Sequence, residues 1–367
     1  MKICVMGNAR SAHTQRWAAA YAERGHDVHV LSIRTAEIPG VTVHPVHVGT
    51  ANSGFAPAVL LSYLRLLFSI RRRLRRLTPE VVHAHYSVTH GVIAAASGFH
   101  PVVLSVWGTD VVALGGLAGP TYRLLNRYAL RRADRVTSTS AFMMPLVENL
   151  AGRPLTIEQV PFGVELDVFT PADRPADDRP ADDPFTVGYV KHLKPRYGPT
   201  NLIEAAGLLV EEIPGLRVVL AGDGELLPDL RRQVTGLGLE GHVEFLGRVP
   251  HDQVPDLMNS FDVFVNPSVV PESFGVAILE ASAAGLPVVA TAVGGVPEVT
   301  IDETTALMIE PGRPDQLASA LRRLHADPGL RARLGAAGRS FVAERYQWHD
   351  NVSQMERVLA TVARTSQ

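Results

Sequence analysis

Short, largely β-branched apolar runs recur along this chain, each followed by a turn and then by a stretch whose apolar positions repeat every three or four residues. The runs fall at 2–6, 27–32, 41–46, 81–84, 102–105, 135–138 and 156–160, and again at 185–190, 217–221, 243–246, 263–265, 288–290 and 306–309. Such runs predict strands, and the stretches between them, for example 13–24, 200–212 and 314–325, predict amphipathic helices. Strands alternating with helices imply parallel sheets joined by right-handed crossovers. The rhythm breaks at 171–184, where PADRPADDRPADDP holds too little apolar surface to join a core and predicts a linker. The expected class is α/β, with two doubly wound Rossmann-like lobes at 1–170 and 185–346.

Composition narrows the class. A chain of 367 residues, 46% apolar and 20% charged, fits a soluble protein of two domains. One cysteine, Cys4, excludes an internal disulfide and a cysteine-cluster zinc site and fits a reducing compartment. No run approaches roughly 18 apolar residues, and the opening MKICVMGN reads as a strand and turn rather than a leader, so a cytoplasmic location is expected. The net charge of −2 hides a division: residues 1–172 carry +7 and residues 173–367 carry −9. Of 35 basic residues only Lys2, Lys191 and Lys194 are lysines, and two of these lie within four residues of each other.

In doubly wound sheets ligands bind beyond the carboxyl ends of the strands, and with two lobes the expected site is a central cleft between them. After the first strand, Gly7 to His13 supplies small residues and a helix start that could receive an anion through Ser11 and His13, or could be a plain turn; no GxGxxG is present. After 185–190, Lys191, Lys194 and Arg196 place three cations within six residues, read either as a diphosphate clamp or as a solvated face. The densest segment is 266–290, NPSVVPESFGVAILEASAAGLPVVA. Glu272 precedes a helix opening near Phe274, and Glu280 lies about two turns into it among apolar neighbours, where a carboxylate needs a hydrogen-bonding partner such as a ligand hydroxyl. The alternatives are a helix-dipole role for Glu272 and a surface position for Glu280. No group of metal ligands with suitable spacing is visible; His83 and His85 lack a carboxylate or cysteine partner and either line the cleft mouth or end a strand.

Pro271-Glu272-Ser273-Phe274-Gly275, seven residues between Glu272 and Glu280, and then Gly285-Leu286-Pro287-Val288 resemble the signature of the family 4 retaining glycosyltransferases of the GT-B superfamily. Ala221-Gly222-Asp223-Gly224, Phe245-Leu246-Gly247, Gly294-Gly295-Val296-Pro297-Glu298, Arg24-Gly25-His26-Asp27-Val28 and Tyr346-Gln347-Trp348 extend the resemblance over nearly the whole chain. It implies the GT-B architecture, a final helix at 347–367 that rejoins the first lobe, and transfer of a sugar from a nucleoside diphosphate to an acceptor hydroxyl with retention. In the implied same-face displacement the leaving phosphate takes the acceptor proton.

Glu272 is the implied catalytic carboxylate, bonding donor-sugar hydroxyls. Gly222 and the backbone at Phe274, Gly275 and Val276 belong to the donor site, and Glu280 accepts the ribose hydroxyls. The family's phosphate-binding arginine and lysine fall on His192 and Tyr197, a departure; Lys191 and Arg196 keep the five-residue spacing one place earlier and are expected to substitute. A second departure puts Trp107 where the family often has histidine, while Asp110 is retained, either as a catalytic group or as a helix cap.

No cofactor or metal is expected beyond the donor itself, and a UDP-sugar is expected ahead of a GDP-sugar. A nucleotide-sugar epimerase of the same architecture is the alternative; a solute-binding protein is disfavoured by the missing export signal and a dehydrogenase by the missing glycine fingerprint. Residues 59–76 combine a core stripe of Leu60, Leu64, Leu67 and Leu74, flanked by Ile70, with Val59, Leu61, Leu66 and Phe68 off the stripe beside six arginines. That is the make-up of an interfacial helix, or of a helix buried on two sides. Arg123, Arg127, Arg131, Arg132 and Arg135 add charge to the same lobe. The expectation is peripheral binding to an anionic membrane surface, at the inner face of the cell membrane, with a lipid-linked or saccharide acceptor in cell-envelope assembly. No nucleic-acid partner is expected.

Overall fold

The alternation of strand and helix resolves into two all-parallel sheets in a computed structural model that describes residues 1–46, 56–112, 119–172 and 183–365, the side chains of 56–63 excepted. The chain divides into one unit of Met1–Pro161 with Asn351–Gln367, and a second of Phe162–Asp350. The expected linker residues 173–182 lie outside the described residues. The division itself falls earlier, between Pro161 and Phe162. The reason is packing: Phe162, Val164 and Phe169 are buried, Val164 bridges to Gln347, and Arg339 donates to the carbonyls of Leu166, Phe169 and Ala283. Residues 162–172 are thereby part of the second unit.

The first unit carries β1 (Lys2–Met6), β2 (Asp27–Ser32), β3 (Thr42–Pro45), β4 (Val81–His85), β5 (Val102–Val106), β6 (Arg135–Ser138) and β7 (Ile157–Gln159), in the order β3-β2-β1-β4-β5-β6-β7. Its helices are α1 (Ala12–Glu23), α2 (Ala56–Leu77), α3 (Val92–Ser97), α4 (Gly119–Arg132) and α5 (Met143–Ala151). Strand order reverses at β1/β4, paired from Ile3↔Val81 to Met6↔Ala84. β4 and β5 are buried along their whole length, as strands covered on both faces are.

The second unit carries β8 (Phe185–Val190), β9 (Leu216–Ala221), β10 (Val243–Gly247), β11 (Val263–Asn266), β12 (Val288–Thr291) and β13 (Ala306–Ile309), in the order β10-β9-β8-β11-β12-β13. Its helices are α6 (Pro199–Leu209), α7 (Leu227–Gly236), α8 (Val254–Asn259), α9 (Val276–Ala283), α10 (Pro314–Ala326) and α11 (Pro328–Arg345). The order reverses at β8/β11, paired at Val263↔Val187 and Phe264↔Gly188. α12 (Trp348–Thr365) returns the chain to the first unit, where Glu356 accepts from Arg24 at 2.7 Å and meets Nε2 of His26 at 2.8 Å.

α2 differs from its expected orientation. Leu66, Ile70 and Leu74, spaced by four, form the buried edge, whereas Leu64 and Phe68 are exposed, Phe68 by 70%. The expected stripe through Leu64 and Leu67 is therefore turned, and the expected positions Val59, Leu60 and Leu61 fall among the side chains not described. The outer face carries Leu64, Arg65, Phe68, Arg72, Arg75 and Arg76. Not every arginine there is available to a partner. Arg71 donates to the carbonyls of Ser97 and Ala96 at the end of α3, and Arg127 and Arg131 donate to Leu150, Ala151 and Gly152 at the end of α5. Cations at a helix C-terminus satisfy orphan carbonyls and the helix dipole together.

Candidate active site

In the second unit the switch point β8/β11 gathers the residues with chemistry, as expected for a doubly wound sheet. Lys191 is the first residue beyond β8 and Asn266 the last of β11. Lys191 Nζ lies 2.6 Å from both Oε1 and Oε2 of Glu272 and 2.8 Å from Oδ1 of Asn266. Three acceptors engage its three N–H groups. Oε1 of Glu272 also accepts from Asn266 Nδ2 at 2.9 Å and from the hydroxyl of Ser268. Glu272 is only 8% exposed. Burial pushes its carboxyl up, but the adjacent Lys191 ammonium and the hydrogen bonds from Lys191, Ser268 and Asn266 outweigh this and hold it below the usual range. Burial also draws the Lys191 ammonium down, and Glu272 only partly restores it.

The backbone around this pair is held by close approach. A Cβ on Gly222 would stand 1.9 Å from the carbonyl oxygen of Lys191, so only glycine lets the β9 turn pack on the loop after β8. Lys191 N–H bonds Ala221 O and Leu193 N–H bonds Asp223 O. Similarly, a Cβ on Gly294 would lie 2.2 Å from Glu272 O, and Gly295 N–H donates to that oxygen at 2.8 Å. The glycine turns of the sequence thus hold the site's shape from behind.

Of the remaining expected donor residues, Lys194 is exposed. Arg196 lies 5.4 Å from the Tyr197 ring, over which Lys191 also sits at 4.8 Å. Among the described residues Arg196 Nε is buried without a hydrogen-bond partner, an orphan donor that fits an anionic ligand. The Phe274 side chain is core, edge-on to Tyr346 at 5.6 Å, which leaves only its backbone for a ligand. Gly275 precedes α9 and offers no side-chain cap, so the first-turn N–H groups from Val276 onward have no such acceptor. Glu280 is buried at 9% exposure, not at the surface. Asn266 and Ser268 were missed by sequence reasoning; a polar residue at the end of an otherwise apolar strand was the available signal for Asn266.

The first unit holds the other expected residues beyond β1 and β5. Ser11 precedes α1 and donates its N–H to Asn8 O at 2.9 Å. His13 stands edge-on to Trp107, ring centroids 5.7 Å apart, and Trp107 also contacts His85 and Tyr86. Asp110 is buried and its carboxylate is bonded through both oxygens. Its Oδ2 accepts from the N–H and hydroxyl of Ser87, and its Oδ1 from the N–H groups of Trp107 and Gly108. Asn126 closes the cluster by donating to Asp110 O at 3.1 Å. The carboxylate thereby joins the loop after β5 to the turn after β4, and among the described residues it caps no helix of its own. Burial raises its pKa, and the backbone N–H groups of Ser87, Gly108 and Trp107 work against that. Ser87 lies in a π-helix, Tyr86–Gly91, that begins with Tyr86 at φ +68°.

His85 is the last residue of β4 and His83 lies two residues before it; both are buried. His83 Nδ1 meets the Tyr21 hydroxyl at 3.1 Å and Nε2 meets Ser105 Oγ at 2.7 Å, which in turn bonds Thr137. Thr14 Oγ1 bonds His85 Nδ1 at 3.1 Å. Burial lowers His83 to about 3 and His85 well below the usual histidine value, so both are neutral in the fold. Among the described residues no three His, Cys, Asp or Glu side chains lie together as a metal-binding group.

Two family models match the chain: "Glycosyl transferases group 1" over residues 173–341 and "Glycosyl transferase 4-like" over residues 2–140. A GDP-mannose-dependent alpha-(1-6)-phosphatidylinositol monomannoside mannosyltransferase of Mycolicibacterium smegmatis is 31% identical, over 74% of this chain and 72% of that protein. A D-inositol 3-phosphate glycosyltransferase of Kribbella flavida is 31% identical, over 84% of this chain and 78% of that one. Among solved structures, sucrose-phosphate synthase of Thermosynechococcus elongatus superimposes with a TM-score of 0.85 over 100% of both chains at 20% identity, a likeness of fold.

Proposed function

The chain belongs to the family 4 glycosyltransferases of GT-B fold and is a glycosyl-transferring enzyme; we propose that it takes a hexosyl group from a nucleoside diphosphate held at the β8/β11 switch point and retains its anomeric configuration. The observation that carries this reading is the buried, ionised Glu272 beside the uncapped start of α9 and the orphan donor of Arg196. A carboxylate accepts sugar hydroxyls; a guanidinium and helix N–H groups stabilise the charge that develops on a departing diphosphate. In the same-face displacement the bond from the anomeric carbon to the phosphate oxygen breaks as the bond to the acceptor oxygen forms. The acceptor proton passes to that phosphate oxygen.

Neither family model and neither relative named above is an epimerase. Arg196 and Lys194 supply positive charge at the leaving group, so transfer is proposed to need no added cation; turnover that vanishes in excess EDTA and returns with magnesium would overturn that part. The uridine donor expected from the sequence and the GDP-mannose named for the M. smegmatis relative make opposite predictions. A thermal-shift screen over UDP, GDP, ADP and their hexoses decides between them, since a ligand at 100 times its Kd adds about 2.7 kcal/mol. No shift with any of them would sink the donor-site reading.

We also propose that the first unit binds an anionic membrane surface, with a lipid-linked acceptor. No helix among the described residues is long and apolar enough to cross a membrane. The outer face of α2 pairs exposed Leu64 and Phe68 with Arg65, Arg72, Arg75 and Arg76, and α4 exposes Tyr122, Leu124 and Tyr128 beside Arg123. Apolar side chains to insert and cations to meet lipid phosphate are the two components of interfacial binding.

A further inference from the structure

We propose that Lys191 is a positioning residue for Glu272, presenting its Oε2 to a hydroxyl of the donor sugar, and that it does not belong to the phosphate-binding set. The inference rests on the reading that the second unit holds a nucleoside diphosphate sugar.

Sequence spacing places Lys191 in a clamp with Arg196; the geometry separates the two. Lys191 has three N–H groups and three acceptors, two of them the oxygens of one carboxylate at 2.6 Å. A phosphate could recruit this ammonium only by taking it from a buried countercharge, leaving Glu272 unpaired at 8% exposure. Arg196 differs, because its Nε is buried with no partner among the described residues.

The two oxygens of Glu272 are also unequal. Oε1 accepts from Lys191, Asn266 and Ser268, whereas Oε2 accepts from Lys191 alone among the described residues. A carboxylate oxygen has about two lone pairs. Oε1 is therefore filled and Oε2 has an acceptor site left, fixed in direction by Lys191.

Neither partner can drift easily. Lys191 carries its carbonyl 1.9 Å from where a Cβ on Gly222 would be, and Glu272 is packed in the same way against Gly294. A buried ion pair is weak evidence of stabilisation, since its desolvation offsets its attraction. Its value here is directional: it keeps Glu272 ionised and aims one oxygen.

Calorimetric titration of the full chain with UDP and UDP-glucose, and with GDP and GDP-mannose, tests this in the wild type, Lys191→Met, Lys191→Arg and Glu272→Gln. With the pair that binds wild type, Lys191→Met is expected to leave the nucleotide Kd within about threefold while weakening the sugar nucleotide about tenfold, the scale of one charged hydrogen bond. Lys191→Arg should recover part of that loss, which a general structural defect would not. In a Glu272→Gln background, Lys191→Met should add little further loss for the sugar nucleotide; this arm keeps the test available if the single Met variant does not fold. Equal weakening of nucleotide and sugar nucleotide by tenfold or more, in either background, makes Lys191 a phosphate ligand and overturns the proposal. A wild type that binds neither nucleotide is a different failure, that of the donor-site reading itself.

Discussion

Lys191 and Glu272, 81 residues apart in sequence, form a charge pair in which one ammonium touches both carboxylate oxygens at 2.6 Å. The pair joins the end of β8 to the loop after β11, the two strands at which the order of the second sheet reverses.

Glu272→Gln is expected to lower transfer by roughly 10²-fold or more while the fold persists, because it removes charge from the group proposed to meet the sugar as the transition state forms. Single-turnover rates beside a melting curve separate the two. A purified variant turning over like the wild type would remove Glu272 from the mechanism.

Arg196→Ala is expected to weaken nucleoside diphosphate binding by about 1.5–3 kcal/mol, the range for hydrogen bonds to charged groups. Lys194→Ala, whose side chain is exposed, should cost less because water screens it. Titration calorimetry reads both. An unchanged affinity in the Arg196 variant would return this loop to a solvated face.

Asp110→Asn tests the structural role of this carboxylate. The carboxylate accepts from three backbone N–H groups and one hydroxyl, through both oxygens. An amide has one acceptor oxygen and turns an NH2 group toward donors, so a stability loss of about 1–3 kcal/mol is expected in urea melts. Full stability with abolished transfer would instead mark Asp110 as catalytic.

His83 sets a pH dependence whose sign follows from burial. In the fold it is neutral down to about 3, whereas in the unfolded chain it takes a proton near 6.5. Between those values the unfolded state binds more protons, so stability falls as pH falls, by up to about 1.4 kcal/mol per pH unit for this group. His83→Gln should be less stable at pH 7 yet show a shallower decline from pH 6.5 to 4. Parallel melting-temperature profiles for the two proteins would show that His83 is not the source.

Vesicle co-sedimentation tests the membrane surface. Each arginine close to anionic lipid contributes about 1 kcal/mol, so Arg72→Gln, Arg75→Gln and Arg76→Gln together should release most of the protein from anionic vesicles and remove the salt dependence. Arg71 is kept intact because it caps α3. Equal recovery with neutral and anionic vesicles would make α2 only a crossover helix.

The sequence by itself determined the strand-helix alternation, both parallel sheets and the block around Glu272, because these depend on local patterns: apolar runs, helical periodicity, and residues fixed at short spacing. It also placed Lys191 and Arg196 beyond β8. What the tertiary structure decided were choices between local patterns of equal merit. In α2, Leu64, Leu66, Leu67 and Phe68 are all apolar, and only contact with the sheet selects Leu66, with Ile70 and Leu74, for the core. His83 and His85 look like strand-end polar residues, yet Tyr21, Ser105 and Thr14 come from distant segments to satisfy them in the interior. Lys191 reads as one of three neighbouring cations until β11 pairs beside β8 and brings Asn266 and Glu272 within hydrogen-bond reach. Hydrogen bonds act over about 3 Å, and sequence spacing does not encode which distant groups folding brings that close.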